Sequence, residues 1–152
     1  MPHFFFTETM GFFTDCVQQY LAGLGEHGSV RADLKASVSV RSAWVIRSFA
    51  NDFNPAHVHS NCQFSSVGYI KLPDWDEEMA RDAEDHHPCR GQIEFLTGHP
   101  QAFSRHQVRY VPKVGDFYIF PAHMLHTVYP FSSPGERRSF SINFLLGPRG
   151  QN

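Results

Sequence analysis

Hydrophobic positions recur along this chain with two different periods. Over residues 14–24, TDCVQQYLAGL, Val17, Tyr20, Leu21 and Leu24 fall three and four apart, which places them on one face of a short helix. Thr14 or Asp15 is positioned to cap that helix and Gly25 to end it. Residues 25–36 are rich in Gly and charge and read as loop. From residue 37 the period is two. The run SVSVRSAWVIRSF sets Val38, Val40, Trp44 and Ile46 on one face of a strand and Arg41, Val45 and Arg47 on the other. NDFNP, residues 51–55, is a turn signal, and AHVHS follows as a short extended piece. Further strands are expected at 64–73, 91–96, 106–111, 115–121, 125–131 and 137–146, most of them separated by Gly, Pro or polar clusters. Residues 74–90 are acidic, lack a strand pattern and read as an inserted loop with a helical turn.

Many short strands behind one early helix predict a mainly β protein, an all-β barrel or jelly roll. No repeat, low-complexity segment or linker divides the chain. Its 152 residues fit a single domain over 1–152, with a core over about 37–146. A domain of that size buries roughly 68–70% of its unfolded surface, enough for a substantial core.

Charge and cysteine content narrow the classes. The net charge is −2 with His neutral, so no basic excess points to nucleic acid and no basic amphipathic face to a membrane surface. Cys16, Cys62 and Cys89 are scattered, odd in number and without a CxxC, which is neither a disulfide framework nor a zinc ribbon. They read as free thiols of a reducing compartment. The opening MPHFFFTETMGFF lacks the basic start and small-residue cleavage site of a secretory signal. No apolar run approaches the roughly 20 residues of a spanning helix. A soluble, cytoplasmic protein is expected; the oligomeric state is not readable.

Ten histidines are the compositional oddity. His57 and His59 are two apart, and residues i and i+2 of a strand share a face. Two imidazoles on one face can chelate one ion, although a lone HxH is a weak signal. The pair follows the turn residues Asn54 and Pro55. Much later His126 comes just after the hydrophobic strand GDFYIFP, which is where a barrel would supply a third ligand. His123, three residues earlier, aligns with His126 only on a helical turn and reads as structural or as support behind a ligand. Eleven residues past His126, Arg137, Ser139, Ser141 and Asn143 alternate with Arg138, Phe140, Ile142 and Phe144. Burying the polar set is costly without an anionic partner, and a bidentate grip on a carboxylate is what Arg does best. A metal on one strand and an Arg–Ser pair on another would hold the two ends of a small dicarboxylate.

With those residues in place, the stretch from about 44 to 145 resembles the 2-oxoglutarate and Fe(II)-dependent oxygenases, especially their prolyl 4-hydroxylase-like branch and the bacterial and phage members that carry N-P-x-H-x-H. The resemblance rests on Asn54-Pro55-Ala56-His57-Val58-His59, on SSVGYIKLP at 65–73, GQIEF at 91–95 and VPKVGDFYIFP at 111–121, and on Leu125-His126-Thr127-Val128 and Glu136-Arg137-Arg138-Ser139. It implies a double-stranded β-helix with iron at one mouth, held by His57 and His126; the reading of the residues adds His59 as the third ligand. It implies 2-oxoglutarate bound by Arg137, Ser139 and Tyr69, dioxygen as co-substrate, and ascorbate as an accessory. Tyr69 would share a face with Ser65, Val67 and Lys71. Asn143 would approach metal or substrate, and Arg47 and Gln63 join it as residues near substrate. The activity implied is hydroxylation of a small-molecule or peptide substrate; as loops at a barrel mouth, 74–90 and 97–106 are expected to be lids, with His86, His87, His99 and His106 read as solvated rather than as substrate contacts.

One departure is plain. Where most members have His-x-Asp or His-x-Glu, this chain has His57-Val58-His59, and neither Asp52 nor Glu94 is expected to replace the missing carboxylate. Two other readings stay open. A cupin-like three-His dioxygenase that does not use 2-oxoglutarate fits the spacing of Gly115, Pro121 and His126, but residues 60–64 lack the Glu a cupin needs, and a cupin has no use for Arg137 with Ser139. A non-catalytic metal- or ligand-binding barrel would make the histidines structural.

Overall fold

The computed structural model describes residues 2–29, 36–76, 86, 88–99 and 101–148, with side chains from residue 9 onward. One helix, α1 (Pro2–Glu26), precedes eight strands: β1 (Ala36–Ser48), β2 (Asn54–His57), β3 (Phe64–Lys71), β4 (Ile93–Leu96), β5 (Gln107–Tyr110), β6 (Phe117–Pro121), β7 (Leu125–Val128) and β8 (Arg137–Pro148). They form two four-stranded sheets, ordered β1-β8-β3-β6 and β2-β7-β4-β5. Every pairing is antiparallel. The architecture is a double-stranded β-helix. No helix is long and apolar enough to cross a membrane, among the described residues.

α1 runs further toward the N-terminus than the periodic stretch 14–24. Pro2 suits a first turn, where its missing N–H would be unpaired anyway, so neither Thr14 nor Asp15 is a cap. Nor does Gly25 end the helix. Gly28 does, at φ +69°, with Ser29 N–H donating to Leu24 O and Gly28 N–H to Gly25 O, the paired bonds of a Schellman end. In the segment 74–90, Trp75 and Asp76 are helical; residues 77–85 and 87, like 30–35 of the expected loop, lie outside the described residues.

Two cores flank the first sheet. Val17 and Leu21 of the helix pack with Ala36, Phe64, Ile142 and Phe144 on one side. On the other, Val67, Tyr69 and Phe120 meet Ile93 and Phe95 of the second sheet. The alternation of β8 serves both: Phe140, Ile142 and Phe144 belong to the helix side, while Ser139 and Ser141 line the space between the sheets. Gly68 sits opposite Phe140, whose ring occupies the place a Cβ would take; only glycine admits that ring.

Two bulges correct the simple alternation. The register of β1 against β8 shifts between Val40 and Ser42, leaving Arg41 as the extra residue. Val38 and Val40 therefore pack toward the helix, whereas Trp44 and Ile46 turn into the space between the sheets, so these four residues do not share a face. A second shift falls between Tyr69 and Lys71. Lys71 leaves the face of Ser65, Val67 and Tyr69 and pairs with Arg138 on the outside. An extra residue reverses the direction of every side chain beyond it.

Candidate metal centre and cofactor cleft

β2 and β7 bring the first and third histidines together. His57 lies directly opposite His126 in their ladder, with ring centroids 4.3 Å apart. His59 lies just beyond β2. Its N–H donates to Ala122 O at 2.8 Å, which ties it to the turn between β6 and β7. Its ring lies 5.2 Å from each of the other two. One ligand nitrogen from each residue falls within 4.8 Å of the others, and this group contains no carboxylate.

The backbone fixes two of the tautomers. His57 Nδ1 faces Pro55 O at 2.7 Å, and His126 Nδ1 faces Met124 O at 2.9 Å. A ring nitrogen against a carbonyl must carry the proton and donate, which leaves Nε2 of the neutral ring with its lone pair for a metal. Phe120 packs 4.6 Å from the His126 ring and Phe95 at 6.1 Å. Burial, with smaller contributions from His57 and His59 and against the bond to Met124, lowers the His126 pKa to about 4. Burial and then His57 lower that of His59.

These shifts have a consequence for the metal-free protein. The unfolded chain takes up protons at about pH 6.5, while folded His126 resists until about pH 4. Stability is complete above the unfolded value and falls as pH drops toward the folded one. Thermal melts of the metal-free protein between pH 6.5 and 5, above most carboxylate titrations, should show Tm falling with pH. The slope should be smaller in His126→Gln; an equal slope would sink this assignment.

All three histidines open on one cleft of about 520 Å³, which Arg137, Ser139 and Tyr69 also line. Arg137 is only 3% exposed. Its Nη1 donates to Tyr129 O at 3.0 Å, and its guanidinium sits 5.3 Å above the Phe131 ring. Burial lowers its pKa, opposed by Tyr69 and Asp52. Among the described residues no carboxylate lies within ion-pair distance of it. Ser139 stands opposite Tyr69 between β8 and β3. The Tyr69 hydroxyl is buried without a hydrogen-bond partner among the described residues, and burial pushes its pKa up. A buried cation with no carboxylate at ion-pair distance among the described residues, beside a hydroxyl without a partner among them, is a site for an anion with oxygen acceptors.

The remaining candidates are placed differently. Asn143 is buried on the face of Arg137, opposite Ser65; Asn143 Oδ1 and Ser65 Oγ have no hydrogen-bond partner, yet neither residue lines the cleft. Arg47 borders the cleft, but its Nε donates to Glu136 Oε1 at 2.6 Å. Glu136 also pairs with Arg138 and Lys71, and Arg138 followed by Arg47 holds its carboxyl down at about 2. Gln63 Oε1 accepts from Leu146 N–H at 2.9 Å, bracing β8. His123 is exposed in the turn between β6 and β7 and lies outside the cleft. Asp52 lines the cleft and accepts from Phe49 N–H. Glu94 is engaged by the Tyr129 hydroxyl and Arg109. His86 and His99 are exposed and His106 half-buried; His87 lies outside the described residues. Sequence reasoning missed Trp44 as a wall of the site, its ring 5.8 Å from His59, because the bulge at Arg41 reverses its direction.

Comparison with known proteins bears on the same residues. The family model "Putative 2OG-Fe(II) oxygenase" matches residues 42–143, a span that includes all three histidines, Tyr69, Arg137 and Ser139. A solved structure of an oxidoreductase of the 2OG-Fe(II) oxygenase family from Burkholderia pseudomallei is similar with a TM-score of 0.54 and 18% identity, over 84% of this chain and 57% of that one. The chain thus spans little more than half of that protein, and at this identity the likeness is one of fold. A structure of Bacillus endospore appendages, which form disulfide-linked pili, gives a TM-score of 0.38 and 7% identity, over 77% of this chain and 95% of that one; so loose a likeness carries no argument. No curated protein matches.

Proposed function

The chain belongs to the Putative 2OG-Fe(II) oxygenase family, and from that premise we propose that it is a hydroxylase taking Fe(II) at His57, His59 and His126 and 2-oxoglutarate against Arg137, Ser139 and Tyr69. One observation carries the reading: a buried guanidinium with no carboxylate partner among the described residues shares a cleft with three imidazoles, two of which present a free Nε2. The donor set suits the ion, since imidazole serves iron well. The far end suits a carboxylate, since Arg, a serine hydroxyl and an orphaned tyrosine hydroxyl supply charge and donors together.

When bound, Fe(II) and 2-oxoglutarate supply the oxidising chemistry: dioxygen is reduced as oxoglutarate loses CO₂ to give succinate, and a substrate C–H bond becomes C–OH. The chain's own task is positioning and exclusion of water. The carbonyls of Pro55 and Met124 hold two imidazoles in the ligating tautomer. Tyr129 O and the Phe131 ring hold Arg137. Three neutral imidazoles leave the whole +2 charge of the ion in place, where a carboxylate ligand would halve it, so a dianion is attracted more strongly. Ascorbate enters only as an accessory reductant.

The test is an anaerobic titration of metal-stripped protein with Fe(II) and then 2-oxoglutarate, followed by visible absorption. A charge-transfer band that needs both additions is expected. The carboxylate-free donor set favours a second reading, a cupin-like three-His dioxygenase, which would bind iron without developing the band. Failure to bind iron would leave a non-catalytic barrel.

A further inference from the structure

We propose that the substrate is an extended stretch of polypeptide that docks as an added strand on the free edge of β1, turning every second side chain into the cleft. The oxidation rests on the oxygenase reading above; the docking geometry does not.

The sheets have four edge strands, and three are blunted in the usual ways. β2 and β5 have four residues each, β2 contains Pro55, and β6 has five residues. Short edges and prolines discourage pairing with another chain. β1 has 13 residues, no proline, and β8 as its one partner among the described residues. Beyond the bulge at Arg41, residues 42–48 run without interruption in register, and residues 42–45 are exposed.

That edge borders the candidate site. Ile46, Arg47 and Ser48 all line the cleft, although successive residues of a strand point to opposite faces. Arg47 sends its side chain to the outer face, where it meets Glu136 opposite Arg138. A cleft that touches three consecutive residues meets the strand at its edge, where alternate N–H and C=O groups face no strand among the described residues. Asp52, Phe53 and Asn54 continue the same wall, with Trp44 beside His59.

An added strand matches this geometry. Residues 42–48 offer an edge of roughly 23 Å, at about 3.3 Å per residue. Side chains level with Trp44 and Ile46 would enter the cleft; those level with Val45 and Arg47 would stay outside. On the outside Arg47, Lys71 and Arg138 share one carboxylate, Glu136, which leaves positive charge in excess among the described residues. Cross-strand pairs of opposite charge are favoured, so the outward residue level with Arg47 is acidic. Main-chain bonds supply affinity and the alternate side chains specificity.

The probe is a displayed library of random twelve-residue peptides, selected anaerobically on the full chain with Fe(II) and 2-oxoglutarate. Selected peptides should be acidic at one outward position and should slow amide exchange within residues 42–48. N-methylation of a synthetic copy should weaken binding about tenfold or more at alternate amides and little at those between, since each loses a ladder bond. Arg47→Glu should weaken the acidic peptide about fivefold or more. A flat methylation scan, protection elsewhere, or no peptide above background would overturn the proposal. The oxoglutarate band is measured without peptide, so its failure counts against the cofactor reading and a peptide failure against the docking alone.

Discussion

In His126→Ala, iron binding is lost at concentrations that saturate the parent, and no oxoglutarate band appears. His126 is one of the three proposed ligands and the most buried of them, 4% exposed. Altering a residue that merely supports a ligand typically costs 10–100-fold in metal affinity. Removing the ligand should therefore cost at least about a hundredfold. His123→Ala is the matched control, because that ring is exposed three residues earlier and lies outside the cleft; it should bind iron like the parent. Equal loss in both variants would mean that the turn, not the imidazole, matters. Full retention in His126→Ala would remove the three-histidine centre.

Arg137→Ala should have nearly as large an effect on a different quantity. Truncating one partner of a buried, hydrogen-bonded charge pair costs about 2–5 kcal/mol, roughly 30- to 5,000-fold in affinity. Oxoglutarate binding should weaken by that much, while iron binding changes little. Arg137→Lys should fall between, since lysine keeps the charge but not the planar fork. Iron affinity is also the check on folding, because Arg137 packs on Phe131 and bonds Tyr129 O. A fall in iron and oxoglutarate affinity together would show that Arg137 supports the barrel rather than the ligand.

Both predictions concern residues that sequence patterns alone bring forward, and the reason is periodicity. From Arg138 to Phe144 β8 alternates, with polar Ser139, Ser141 and Asn143 between Phe140, Ile142 and Phe144, so its two faces can be read directly and Arg137, Ser139 and Asn143 assigned to one side. The two-residue spacing of His57 and His59 marks a shared direction, and the position of His126 behind a hydrophobic strand marks a return to the same mouth. What alternation hides is any place where it is interrupted. Arg41 and Ile70 are ordinary residues, and nothing in them announces a bulge, yet each moves its successors to the other face. Trp44 and Lys71 are misplaced for that reason. The helix is underestimated for another: FFF and FF give residues 2–13 no helical period, so only the stretch buried by Val17 and Leu21 looks helical. The support of Arg137 by Tyr129 and Phe131 comes from a connection without any period.

The bulge at Arg41 divides β1 into two reading frames. Before it, the even-numbered residues belong to the hydrophobic layer under the helix; after it, the even-numbered residues face the cleft. One strand thus answers to two selective pressures, with a single residue as the boundary. Substitutions at Val38 and Val40 act on folding and those at Trp44 and Ile46 on recognition. Deleting Arg41 would leave both frames in their layers, because Val40 and Ser42 already oppose the consecutive residues Phe144 and Asn143, so the extra residue bends the strand without deciding which face either frame takes.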